Sequence, residues 1–163
     1  MSTAVLSIGS NVGDRIAHLQ AVVDAYRQWL VAVSPVYETA PWGPVAQDDY
    51  LNAVLVVTDP EATPADWLAR GQAAERGAGR RRDTRWGPRT LDVDVVAVDD
   101  VQSEDPALTL PHPRARERAF VLIPWLAAVP DARLCGSSVG ELVDALPAGE
   151  RAGVRLRADL AVS

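Results

Sequence analysis

Apolar residues fall in short blocks along this chain, and their spacing predicts its elements. Ala4-Val5-Leu6-Ser7-Ile8-Gly9-Ser10 reads as a first strand, followed by a turn, Asn11-Val12-Gly13-Asp14, in which Asp14 is placed as an N-cap. Ile16, Leu19, Val23, Tyr26 and Leu30 then recur at helical spacing, so a helix is expected from about Arg15 to Trp29. A second strand is expected from about Val31 to Tyr37, and a third from Tyr50 to Val57, ended by Asp59-Pro60. Between them Thr39-Ala40-Pro41-Trp42-Gly43-Pro44 is a rigid loop carrying a tryptophan. Pro64 opens a second helix that runs to about Ala78. A fourth strand follows around Leu91, Val93, Val95 and Val96.

The order strand-helix-strand-strand-helix-strand is that of the split βαβ, ferredoxin-like arrangement. The expected fold class is therefore α+β. It has a ferredoxin-like βαββαβ core, one antiparallel sheet with helices packed on it, and a C-terminal elaboration. In that elaboration Leu108 to Pro113 is extended, and Phe120 to Ala128 is an apolar helical stretch expected to break at Pro124. Val139 to Leu146 is a short helix capped by Ser138, and the chain from about Arg155 is expected to be loosely held. No repeat or linker divides the 163 residues, so a single domain over 1–163 is expected.

The fourth strand carries the unusual chemistry. Asp92 and Asp94 interrupt an apolar run and point the same way, about 6.6 Å apart at ~3.3 Å per residue. Two carboxylates on such a strand lose hydration and need compensation. Hard cations such as Mg²⁺ offer it, and the span suits two metals about 3.5–4 Å apart. The same spacing also fits carboxylates on the solvated face of an edge strand, and spacing alone leaves both open. The arginines just upstream tip the balance, because Asp, Mg²⁺ and Arg together make a phosphate site.

Composition narrows the choice. Net charge is −6, which argues against a general nucleic-acid or anionic-membrane binder. The sequence contains no Lys, which excludes a Walker-type phosphate loop, a Schiff base and a lysine nucleophile. Its one cysteine, Cys135, can form no internal disulfide and is expected to be a small buried hydrophobe. The N-terminus lacks the pattern of a signal peptide, and no apolar stretch approaches the length of a membrane span. A cytoplasmic protein is the expectation.

Other candidates cluster around the diacid strand. The loop Gly79-Arg80-Arg81-Arg82-Asp83-Thr84-Arg85 offers guanidinium groups suited to bidentate phosphate contacts, with glycines that let it close. Arg89 approaches the acids through Gly87-Pro88, as a phosphate or transition-state contact or as an ion-pair partner of Asp83 or Asp94. His112 lies between prolines, with Arg114, Arg116 and Arg118 behind it. Trp42, Tyr50, Trp86 and Phe120 offer flat apolar walls for a heterocycle, or belong to the core. Asn52 is an amide within an apolar strand, able to read the edge of a ring or to tie down a neighbouring loop.

These segments together resemble one family, the 6-hydroxymethyl-7,8-dihydropterin pyrophosphokinases. The matching stretches are Ser7 to Arg15, Ser34 to Gly43, Asp49 to Val54, Arg85 to Asp94, and Leu110 to Pro113 followed by Arg118 to Leu122. The resemblance implies transfer of the β,γ-diphosphoryl unit of ATP to the hydroxymethyl group of the pterin, releasing AMP. It implies two Mg²⁺ ions on Asp92 and Asp94, and catalytic roles for Arg80, Arg82 and Arg89. The pterin pocket it implies comprises Thr39, Ala40, Trp42, Tyr50, Asn52, Trp86 and Phe120. The nucleotide side comprises Gln72, Glu75, Arg89, His112 and Arg118. The implied partners are the two small-molecule substrates, with no nucleic acid, no membrane and a monomeric state. This chain departs from the family at Ala40, often Pro, and at Pro113, often Tyr.

Three other readings compete. Another two-metal phosphoryl- or nucleotidyl-transfer enzyme would share the diacid and arginines but has no use for Trp42, Tyr50, Asn52 and Phe120. A ferredoxin-like module stacking RNA bases on its sheet conflicts with the negative charge and the acids. A degenerate regulatory homologue conflicts with the retention of both acids and Arg89.

Overall fold

Two opposite apolar faces on the central strands decide the architecture. The structure is a computed structural model and describes residues 2–41, 44, 46–79 and 90–163. Strands β1 (Ser2–Ser10) and β4 (Tyr50–Asp59) are buried along nearly their whole length, so both of their faces must be covered. On one face Leu6, Ile8, Leu51 and Leu55 pack with Leu19, Val22 and Val23 of α1 (Arg15–Ala25) and Trp67 of α2 (Pro64–Gly77). On the other face Val5, Val54 and Val56 pack with Val121, Leu122 and Trp125 of α3 (Ala119–Ala128). The result is a sheet between two helical layers. The core has the expected ferredoxin-like order, and the C-terminal elaboration forms the second layer.

The remaining strands of this sheet are β2 (Leu30–Val33), β3 (Tyr37–Thr39), β5 (Asp92–Val98) and β8 (Arg155–Leu156). Their order is β5-β1-β4-β3-β8, with β2 also on β4, and every pairing is antiparallel. The single strand expected over 31–37 is split into β2 and β3. Pro35 has no N–H to continue the ladder. Ser34 bridges the gap: its amide donates to the Val54 carbonyl at 2.9 Å, and its hydroxyl accepts the Val54 amide at 2.9 Å.

The helices start where their caps place them. The Asp14 carboxylate accepts the Ala17 amide, and Thr63 and Asp66 form a capping box across the first turn, which Pro64 opens. The first helix is shorter than expected. It tightens into a 3₁₀ turn, Arg27–Trp29, which brings the Trp29 ring edge-on to Tyr26 and Trp67. Pro124 lies inside α3 without ending it, contrary to expectation. One backbone hydrogen bond is lost there, and burial of Val121, Leu122 and Trp125 outweighs it.

Beyond α3 come the two-residue strands β6 (Arg133–Leu134) and β7 (Ser137–Ser138), then α4 (Val139–Ala145) and α5 (Ala148–Ala152). Cys135 is exposed, not buried. It occupies the tip of the β6–β7 hairpin with Gly136, at φ values of 51° and 79°. Positive φ at both central positions is the pattern of a type I′ hairpin turn, and the tip of that turn lies outside the core. The segment from Arg155 is also not loose: β8 pairs with β3, and Val162 is buried. Among the described residues no helix is long and apolar enough to cross a membrane.

One end of the sheet is locked by aromatic packing. Trp67 is fully buried, stacks at 6.3 Å on Tyr26, and donates its indole N–H to the Ser2 hydroxyl at 2.7 Å. Arg70 lies 3.9 Å above the Trp29 ring and pairs with Asp59 at 2.8 Å. Burial raises the Tyr26 phenol to about 12, so it stays neutral at all working pH values. We expect Trp67→Ala to destabilise the protein by about 3–5 kcal/mol, read as a lower urea midpoint.

Candidate active site

Asp92, Asp94 and Asn52 lie toward the opposite end of the sheet, on the face that carries α3. Along β5 burial alternates, with Val93 and Val95 in the core under α2 and Asp92 and Asp94 half-buried on the other side. Register places Asp92 opposite Gly9 and Asp94 opposite Ser7. Across β1, Gly9 faces Asn52 on β4, and Asn52 faces Tyr37 on β3. Acids, small residues and an amide thus form rows across one sheet surface.

The Asn52 amide is buried and donates to the Thr39 hydroxyl at 2.6 Å. Thr39 pairs with Tyr50 across the β3–β4 ladder, so Thr39, Tyr50 and Asn52 come together on this face. Gly9 makes room for them. A Cβ added there would lie 3.0 Å from Asn52 Oδ1 and 3.3 Å from Tyr50 Cδ1. Ala40, next to Thr39, is exposed.

Residues before and at the start of α3 complete the surface. Arg118 is the N-cap of α3, and its Nη1 lies 3.9 Å from Asp94 Oδ2. Its guanidinium carbon is 5.5 Å from the centre of the Phe120 ring, so Phe120 joins the same cluster. Arg118 Nε is buried and has no hydrogen-bond partner among the described residues. A buried guanidinium N–H without an acceptor suits an incoming phosphate oxygen.

His112 is anchored by its amide, which donates to the Val96 carbonyl at 2.8 Å. Its Nδ1 accepts the Arg114 amide at 3.3 Å, which leaves Nε2 as the N–H donor. Burial, then the nearby Arg118 charge, pushes the imidazole below its ordinary pKa, partly offset by Asp92. The ring is therefore a neutral donor at neutral pH.

Glu75 is on α2, 5% exposed, and its carboxylate accepts the Val93 amide at 3.1 Å. It holds the edge of β5 between the two acids. Gly71, one turn earlier, lets α2 lie close on Val93, since a Cβ there would meet Val93 Cγ1 at 3.0 Å. Gln72 is exposed on the same helix. Trp42, Arg80, Arg82, Trp86 and Arg89 lie outside the described residues.

The donor set fits a hard divalent cation in part. Asp92 and Asp94 supply carboxylate oxygens on one face, while no group of three or more His, Cys, Asp or Glu among the described residues could hold a metal alone. Mg²⁺ is commonly bound by one or two carboxylates plus substrate phosphates, and two acids beside Arg118 and His112 match that pattern. Nothing local in the sequence marks Ser7 and Gly9, which cross-strand register brings beside the acids, or Gly71, which lets α2 pack closely behind Val93.

Known proteins resemble this chain along most of its length. The family model for 7,8-dihydro-6-hydroxymethylpterin-pyrophosphokinase (HPPK) matches residues 5–130. A Mycobacterium leprae protein named 2-amino-4-hydroxy-6-hydroxymethyldihydropteridine pyrophosphokinase is 50% identical, over 96% of this chain and 89% of its own. Similarly named proteins of Mycobacterium tuberculosis H37Rv and Methylorubrum extorquens are 48% and 42% identical, over 96% and 91% of this chain and 90% and 97% of theirs. Among solved structures, Plasmodium falciparum HPPK-DHPS shares the fold with a TM-score of 0.66 at 14% identity. That match covers 88% of this chain, which spans 44% of the longer one.

The contact at Gly9 is directly testable. We expect Gly9→Ala to cost about 1–3 kcal/mol by overpacking against Asn52 and Tyr50, measured by urea unfolding. Adding Asn52→Ser should recover part of that loss, because it removes the amide oxygen that the new methyl meets.

Proposed function

The chain belongs to the 7,8-dihydro-6-hydroxymethylpterin-pyrophosphokinase family, and we propose that its pyrophosphoryl transfer takes place on the β5 face of the sheet, between the diacid and the Asn52 row. The observation that carries this reading is the convergence of Asp92, Asp94, Arg118 and Phe120 beside Gly9 and Asn52. In this reading Thr39, Ala40, Tyr50, Asn52 and Phe120 hold the pterin, together with Trp42 and Trp86. The Asn52 amide oxygen faces the ring edge while its nitrogen stays on Thr39. Tyr50 and Phe120 supply flat walls.

Arg118 and His112 take the phosphate side. Arg118 brings positive charge to a half-buried surface, and His112 adds an uncharged N–H. Gln72 and Glu75 belong to the nucleotide side by resemblance, and Glu75 also fixes β5 through the Val93 amide. Arg80, Arg82 and Arg89 supply further charge neutralisation as the leaving group departs.

Asp92 and Asp94 would hold Mg²⁺, two ions in this reading, with the remaining ligands coming from the triphosphate. A metal bound there would supply neutralisation of phosphate charge and a lower pKa for the substrate hydroxyl. The hydroxymethyl oxygen forms a bond to the β-phosphorus, the bond from that phosphorus to the α,β-bridging oxygen breaks, and AMP leaves with the bonding pair. The hydroxyl proton is released. The diacid strand and the Asn52 row hold the two substrates at adjoining places on one rigid sheet, which removes much of the entropic cost of their encounter.

Phosphorus NMR of the protein with ATP, Mg²⁺ and 6-hydroxymethyl-7,8-dihydropterin tests this reading. We expect AMP and a pterin diphosphate. ADP with a pterin monophosphate would instead describe an ordinary kinase on the same site. We expect Asp94→Ala to lower turnover by at least about a hundredfold with an unchanged circular-dichroism spectrum. Near-normal turnover in that variant would sink the diacid assignment.

A further inference from the structure

The strand pair that carries Thr39, Tyr50 and Asn52 is held from behind by charge. Glu38 lies on the opposite face of β3 from Thr39, paired in register with Leu51. Its carboxylate is the hub of an ion cluster. Arg15 Nη1 reaches Glu38 Oε2 at 2.6 Å, Arg157 Nη1 reaches Oε1 at 3.3 Å, and Arg155 Nη2 lies 3.9 Å from Oε1. Arg15, then the other two arginines, hold the Glu38 carboxyl below the usual carboxylate range. Asp159 grips Arg157 through two contacts, at 2.9 and 2.8 Å, which fixes its side chain.

This cluster also grips the turn that leads into Tyr50. The same Arg15 Nη1 that meets Glu38 donates to the Asp49 carbonyl at 3.0 Å. Arg155 Nη2 meets the Asp49 carboxylate at 2.8 Å. Asn11 is buried and donates to the Gln47 side chain at 2.7 Å and to the Asp48 carbonyl at 2.9 Å. Around these contacts lies a polar cleft of about 430 Å³ lined by Asn11, Arg15, Glu38 and residues 47–49. The turn thus has polar anchors just after β1, on α1 and on β8, and Tyr50 follows it directly.

We propose that Arg15 is a positioning residue for the pterin, fixing the 47–50 turn against Glu38 so that Tyr50 and Asn52 meet the ring in a set geometry. This rests on the assignment of the pterin to Thr39, Tyr50 and Asn52. Exposure ranks the contributors. The Arg15 and Glu38 side chains are 27% and 16% exposed, whereas those of Arg155 and Asp49 are 55% and 41% exposed. Exposed pairs are screened and contribute little, so Arg15 carries the larger share and Arg155 the smaller. One Arg15 nitrogen makes both contacts, and an ammonium group can do the same with its several N–H bonds. Neither substrate touches this cluster in our reading, and its effect passes through the turn.

Steady-state kinetics on the full chain, with each substrate varied separately, tests the proposal. We expect Arg15→Ala to raise KM for 6-hydroxymethyl-7,8-dihydropterin about tenfold while KM for ATP and kcat stay within about twofold. Arg15→Lys should restore most of the loss, and Arg155→Ala should raise the same KM by no more than about threefold. Arg70→Ala, which loosens the far end of the sheet, serves as a control for general destabilisation and should leave the pterin KM unchanged. An unchanged pterin KM in Arg15→Ala, or an equal rise for both substrates, would overturn the proposal. A pterin KM raised as much by Arg70→Ala would overturn it too, by reducing the effect to stability. Asn52→Ala separates the two layers of inference. If it raises the pterin KM and Arg15→Ala does not, positioning by Arg15 fails alone. If Asn52→Ala has no effect, the pocket assignment fails and the inference falls with it.

Discussion

Asp92 and Asp94 on one half-buried strand face repel each other and lose hydration, and the structure around β5 follows from meeting that cost. Arg118 stands at the N-terminus of α3, near enough to Asp94 to attract it and too far to be a close ion pair. Gly9 and Ser7 sit opposite the acids and leave space above them. The strand cannot slide to escape the repulsion. Val93, between the acids, is packed under Gly71 on one side and held by Glu75 through its amide. Two acids kept on one face by packing from behind form a candidate cation site, of the kind that Mg²⁺ completes with phosphate oxygens.

The core elements were legible because their cues are local. Asp14, Thr63 and Pro64 mark helix starts with side chains that bond within one turn, and the alternation through Val93 and Val95 set the facing of the acids. The acids, Asn52, Phe120 and Arg118 were identified as candidates, and the structure brings them onto one sheet face. Less visible were effects that depend on partners distant in sequence. Ser34 substitutes its hydroxyl for a ladder carbonyl beside Pro35, so one apolar run becomes two strands. Pro124 survives inside α3 because the helix is buried against β4, a fact absent from its local sequence. Cys135 leaves the core because it forms the tip of a two-residue hairpin, set by the pairing of Leu134 with Ser137. Gly9 reads as part of a strand until register sets it beside Asn52, and nothing local couples Arg15 to Glu38 across 23 residues.

The two ends of the sheet are held by different forces. At the Ser2 and Asp59 end, Tyr26, Trp29, Trp67 and Arg70 form an apolar and cation–π cluster around the buried Tyr26 and Trp67 rings. At the Ser10 and Tyr50 end, Asn11, Arg15, Glu38 and Arg155 hold the chain by hydrogen bonds and ion pairs. Apolar packing is tolerant of direction, whereas charge-assisted hydrogen bonds are directional and fix the positions of individual atoms. Stability can therefore be concentrated at one end while position is set at the other, where a small displacement of Tyr50 or Asn52 matters most.

That division also gives the C-terminal part of the chain its place. A bare ferredoxin-like sheet covered on one face would leave Val5, Val54 and Val56 open to water beside the acids. Residues after β5 cover those valines with α3 and, in the same stroke, bring His112, Arg118 and Phe120 to the uncovered remainder of that face. The next segments return the chain to the opposite edge, where β8 pairs with β3 and Arg155 and Arg157 meet Glu38. Burial and site assembly are thus one event. The helix that closes the second core positions Arg118 and Phe120 beside the acids, and the strand that closes the sheet edge braces the turn before Tyr50.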